Sequence, residues 1–144
     1  MKKTLYILYI ALFSTQFIFA QTSENSKIYV KNMGIKEKLS SAKHEMLFAI
    51  KTEKQSNFTQ EFDQTIDNFI ISYIKLVDEN FNDSEIKAAN KTFNETQQLV
   101  QPNPKNSVVF EEKVNILHEN LDLSLQSIIV KYTEPAFLDS IKQK

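Results

Sequence analysis

Glycine occurs once in this chain, at Gly34, and cysteine does not occur at all. Phosphate-cradling loops, dinucleotide fingerprints and nucleophile elbows all need glycine where the backbone turns sharply or meets a ligand closely. None of them can be built here. Sandwiches and barrels, whose short strands are joined by tight turns, are disfavoured on the same ground. What remains for a chain with so little turn chemistry is helix, and apolar residues do recur at steps of three and four almost throughout.

The first residues have a different pattern. Lys2 and Lys3 precede an almost wholly apolar run over residues 4–19, which ends at Ala20 and gives way to the polar Gln21-Thr22-Ser23-Glu24. A basic start, an apolar stretch and a small residue at the cut are the parts of a secretory signal peptide. The run is slightly short of the roughly 20 residues that a membrane span needs, which favours cleavage after Ala20 over a retained anchor. No second run is long enough to span. A lipoprotein anchor is impossible without a cysteine at the cut.

Residues 21–144 then form one helical domain, large enough to bury about two-thirds of its unfolded surface in a single core. Small exported domains often lean on disulfides; with no cysteine, this one has to stand on packing. Losing Lys2 and Lys3 leaves 15 basic side chains against 18 acids, a net charge of −3. The charges are interspersed, as on solvated helix faces. Arginine, the main reader of phosphate and guanine, is absent, so the reading includes no nucleic acid.

The expected fold class is all-α, a bundle of about four main helices at roughly 35–53, 58–80, 83–100 and 108–132, after a short leading helix. Ile28, Val30 and Met33 mark the leading segment, which Gly34 closes as a left-handed cap. Ile35, Leu39, Ala42, Met46 and Ile50 give the next stripe. Ser56 or Asn57 is expected to cap a long helix carrying Phe58, Phe62, Ile66, Phe69, Tyr73, Val77 and Phe81. Asn82 with Glu85 has capping-box spacing, and Ile86, Ala89, Phe93 and Val100 continue that face past Gln97. Two prolines over 101–106 force a loop. Ser107 is expected to cap the last helix, with Glu111 and Glu112 near its positive end and Phe110, Val114, Leu117, Leu121, Leu125, Ile128 and Tyr132 inside. Pro135 stops or kinks it, and Ala136, Phe137, Leu138 and Ile141 suggest one further turn.

Candidate chemistry is sparse. His44 and His118 each precede a glutamate, but a zinc-protease motif needs a second histidine four residues after the first; Phe48 and Asp122 stand there. His118 and Asp122 share a helix face, yet two ligands do not make a zinc site. The acidic pairs Glu61/Asp63, Asp78/Glu79 and Glu111/Glu112 fit polar faces and helix starts. No catalytic, cofactor-binding or metal-binding residue is assigned, and no cofactor. The phenylalanines on inner faces read as core, with a groove for a hydrophobic ligand as the alternative. Asn57-Phe58-Thr59, Asn90-Lys91-Thr92 and Asn94-Glu95-Thr96 fit a eukaryotic glycan acceptor by chance, in a chain whose Lys, Asn, Ile and Phe usage looks bacterial. Asp139-Ser140-Ile141 resembles a bacterial O-glycan acceptor.

The segment Phe81-Asn82-Asp83-Ser84-Glu85-Ile86-Lys87, running on to Phe93, Glu95 and Thr96, resembles a family of small exported bacterial helical proteins known only as a domain of unknown function. Gly34-Ile35-Lys36-Glu37-Lys38-Leu39 is similar to that family's first turn. The chain departs from the family pattern at Asn94, Gln97 and Leu99, where the family has Tyr, Pro and Gly. The resemblance implies an exported helical bundle and no particular activity.

The expected function is a non-enzymatic binding or interaction module, exported to the periplasm or beyond, with a protein partner or a hydrophobic ligand. A carrier holding a hydrophobic ligand between helices is the alternative. An envelope enzyme with a site assembled from scattered residues is a third reading.

Overall fold

The computed structural model describes residues 22–133. They form five helices: α1 (Glu24–Asn32), α2 (Ile35–Leu47), α3 (Thr52–Asn80), α4 (Asp83–Thr96) and α5 (Ser107–Tyr132). The all-α expectation holds, and among the described residues the only β-type pairing is one isolated bridge, Ile50 to Thr133. The signal-peptide reading of residues 1–20, the features at Pro135, Phe137 and Ile141, and the Asp139-Ser140-Ile141 acceptor lie outside the described residues.

α3 is the spine. Its stripe Phe58, Phe62, Ile66, Phe69, Tyr73, Leu76 and Val77 is buried, at the steps of three and four that place residues on one helix face. α5 runs antiparallel along one side, since Phe58 meets Tyr132, Phe69 meets His118 and Phe81 meets Phe110. α1 and α2 together line the other side. Ser26 near the start of α1 bonds Asp78 late in α3, Lys36 at the start of α2 pairs with Asp67, and Lys43 pairs with Asp63. The two short helices are thus one antiparallel path along α3, broken at Gly34. There φ is +65°, a left-handed conformation that glycine adopts without steric cost. α4 packs on α1, with Asn25 meeting Asp83 and Asn32 meeting Asn90.

The loop after α4 is held to the end of α3. Lys105 donates its backbone N–H to Asn80 O at 2.7 Å and its ammonium to Glu79 O at 3.1 Å. These are carbonyls of the last turn, which lack intrahelical partners and carry the negative end of the helix dipole.

Several expected boundaries move. α2 ends at Leu47, not 53: Phe48 caps it, and Ile50 leaves the helix to become buried beside Thr133. α3 starts at Thr52, so Ser56 and Asn57 lie inside it and are not its N-caps. Its first turn is polar, and apolar periodicity cannot register turns before Phe58. Gln55 secures this corner by donating its side-chain amide to Leu47 O and Ile50 O. α4 ends at Thr96, because Gln97 takes a left-handed φ of 59°. Val100 therefore does not extend its buried face and stays 45 % exposed.

Two of the caps also differ. Asn106, not Ser107, caps α5 by accepting from Val109 N–H, leaving Glu111 and Glu112 beyond the first turn. Asn82 is the N-cap of α4 but makes no side-chain cap bond; it reaches Glu85 Oε1 at 3.4 Å instead.

The spine makes a direct prediction. Phe58 is fully buried and touches Phe62 and Tyr132, so Phe58→Ala should destabilise the fold by about 3–5 kcal/mol. Phe48, 95 % exposed, is the control: Phe48→Ala should shift stability by no more than about 0.5 kcal/mol. Urea unfolding of the two variants checks both.

Candidate functional site

Three places bring polar side chains together. The first joins the start of α1 to α3. Asp78 Oδ1 accepts from Ser26 Oγ at 2.8 Å and from the Ser23 backbone N–H at 3.1 Å, while the two serine hydroxyls lie 2.9 Å apart. Burial works to raise the Asp78 pKa, but the hydrogen bonds from Ser26 and Ser23 prevail and hold it below its ordinary value. Ser26 is fully buried and donates straight to the carboxylate, with no base placed between them as nucleophile activation requires. The cluster is a latch that anchors α1.

The second is the polar seam of α1 and α4. Asn90 donates to Asn25 O at 2.9 Å and accepts from Asn32 Nδ2 at 3.2 Å. It is 6 % exposed, so as a glycan acceptor it is blocked. The third lies at the C-terminal end of α5. Glu61 Oε1 accepts from Lys131 Nζ at 2.6 Å and Tyr132 OH at 2.7 Å. The Lys131 bond first and the Tyr132 bond second lower the Glu61 pKa.

Neither histidine gathers ligands. His44 is exposed on α2. His118 sets its ring edge-on to Phe69 at 5.3 Å, an aromatic contact. Asp122 is exposed one turn away. Among the described residues no three His, Asp or Glu side chains converge as metal ligands. The phenylalanines fill the core with one another: Phe58 with Phe62 at 5.6 Å, and Phe81 with Phe110 at 4.8 Å. Phe93 is half-buried on α4.

The broadest candidate surface is the groove between α3 and α5. Thr65, Asn68 and Ser72 line it from α3, and Asn120, Ser124 and Ser127 from α5. Phe69, Leu117, Leu121 and Ile128 form its floor. Its polar walls carry no charge until Glu61 at one end. Beside the groove lies a feature that inward-facing periodicity missed. Val109, Ile116, Leu123 and Val130 stand on the outer side of α5 at 38 %, 51 %, 65 % and 61 % exposure. They repeat every seven residues and so share one face. Ile71, 63 % exposed on α3, adds a further outward aliphatic.

No known family model, curated protein or solved structure matches this chain.

The segment from Phe81 to Lys87, on which the expected family resemblance rests, makes a helix elbow. Phe81 and Ile86 are buried, Asn82 caps α4, and Glu85 and Lys87 face solvent. They shape the turn from α3 into α4 and bring no reactive group to a cleft.

The latch has a definite pH signature. Because the folded Asp78 pKa is lowered, its stabilisation is complete above the ordinary value of 3.8 and is lost as pH falls through the lower folded value. Asp78→Ala should therefore cost about 1.5–3 kcal/mol near neutral pH, as for hydrogen bonds to a charged group. The gap from the parent chain should narrow as pH falls through that lower folded value, where the parent's carboxylate takes up a proton. Thermal unfolding across that pH range measures it.

Proposed function

We propose that the protein is an exported, non-enzymatic interaction module of the bacterial cell envelope, and that the α3–α5 groove with the outer stripe of α5 is its docking surface. The supporting observation is that α5 is apolar on two opposite sides. One side packs Phe110, Leu121, Ile128 and Tyr132 into the core, while the other presents Val109, Ile116, Leu123 and Val130 to water. A helix with two apolar sides has more apolar surface than one neighbouring layer covers, and exposed apolar surface aligned on one face favours association. Small neutral side chains in the adjoining groove, Thr65, Ser72 and Ser124 among them, let a partner helix approach closely. They set no charge that a partner has to neutralise.

Export rests on the basic, apolar and small-residue pattern of residues 1–20. A core of interlocked rings, needing no disulfide, suits such a destination. No helix among the described residues is long and apolar enough to cross a membrane. Neither the carrier nor the enzyme reading gains a comparable observation. The inner phenylalanines contact one another, and the Asp78 cluster serves to anchor a helix.

Leu123→Lys tests the proposal. The side chain is 65 % exposed, so folding stability should change by no more than about 0.5 kcal/mol. Recovered gently from its own cells, the parent chain should sediment as a complex heavier than one chain, and the variant as a bare chain. Equal sedimentation of the two would remove this surface from the function.

A further inference from the structure

The outer stripe of α5 also indicates what covers it. Val109, Ile116, Leu123 and Val130 recur at seven-residue intervals along a helix of 26 residues. Apolar residues at a seven-residue interval keep facing the partner when two helices supercoil. Lys113, Asn120 and Ser127, four residues after Val109, Ile116 and Leu123, flank the column on one side. Asn120 is exposed beside the Ile116 and Leu123 layers.

We infer that the partner covering α5 is α5 of a second copy of this chain, paired in parallel and in register; this rests on the docking surface proposed above.

Charge selects the direction. Glu112 and Glu119 border the column on one side, and Lys113 and Asn120 on the other. In a parallel two-fold pair each border meets the opposite border, which sets Glu112 against Lys113 of the second copy. In an antiparallel pair each border meets itself and brings Glu119 against Glu119, which is repulsive. Lys113 is available for this exchange, because its contact with Glu79 is long at 3.8 Å and exposed, and such pairs contribute little. Polar residues flanking the column make the association weak and reversible. It is held by four aliphatic layers and given its register by the exchange of Glu112 and Lys113.

Because the chain has no cysteine, single cysteines report the pairing cleanly. A disulfide forms only between Cα atoms about 4.4–6.8 Å apart. Ile116→Cys and Leu123→Cys, made separately in the secreted chain and oxidised mildly, should each give a disulfide-linked dimer. Lys91→Cys on exposed α4 is the collision control and should stay monomeric. Circular dichroism matching the parent chain certifies each variant. Dimer only on mixing the Ile116→Cys and Leu123→Cys proteins would overturn the parallel register. Monomer in every case would overturn self-pairing. If the Leu123→Lys variant nonetheless loses a heavier complex from its own cells, the docking surface stands and its partner is a different protein. If nothing changes there either, both readings fall.

Discussion

The contact between the inner edge of α3 and everything laid against it is the constraint from which the rest of the molecule follows. Phe58, Phe62, Ile66 and Val77 are all but completely buried, each contributing about 1.5–3 kcal/mol of apolar burial. With no disulfide to restrict the unfolded chain, this stripe has to be covered from both sides. α5 covers one side in a single antiparallel pass. The broken path of α1 and α2 covers the other, and Gly34 sits at the break because the chain there has to adopt a positive φ. Fixed partners then close the ends. Asp78 holds the start of α1, Lys105 holds the loop to the end of α3, and Glu61 holds the end of α5.

That arrangement leaves α5 with a second apolar side and nothing within the described residues to put on it. Burying Val109, Ile116, Leu123 and Val130 inside one chain would need a further helix beyond α5. α2 is committed to α3, and α4 to α1. The polar groove beside the stripe reinforces the point, since Thr65, Asn68 and Ser72 line an open channel. The fold therefore divides its labour. One side of α3 carries the Asp78 latch and the lysine pairs of α2, and the opposite side, with α5, holds a groove of mostly neutral side chains beside the aliphatic stripe.

Much of this was legible in the residues, and the limits of legibility have physical causes. Spacing alone identified the α3 stripe and the inner column of α5, because both are long and strictly periodic. Gly34 announced the break between α1 and α2. The start of α3 at Thr52 was hidden because solvated turns of Lys, Glu and Gln leave no apolar mark. The end of α2 was misjudged because Ile50 keeps the helical spacing while its burial depends on Thr133, eighty-three residues away. The left-handed Gln97 gave no signal, since glutamine has no preference for that conformation. The outer stripe was readable as a seven-residue repeat; only the exposure of its members distinguishes it from ordinary scattered aliphatics, and exposure requires the fold.

Hydrogen exchange of the chain from residue 21 onward, across a range of concentrations, tests the central claim that the outer side of α5 is made to be covered. Backbone amides over residues 109–130 should exchange more slowly as concentration rises, while those of α1 and α4, remote from the stripe, keep one rate throughout. An α5 whose exchange ignores both its own concentration and the addition of envelope extract from its host would contradict the account.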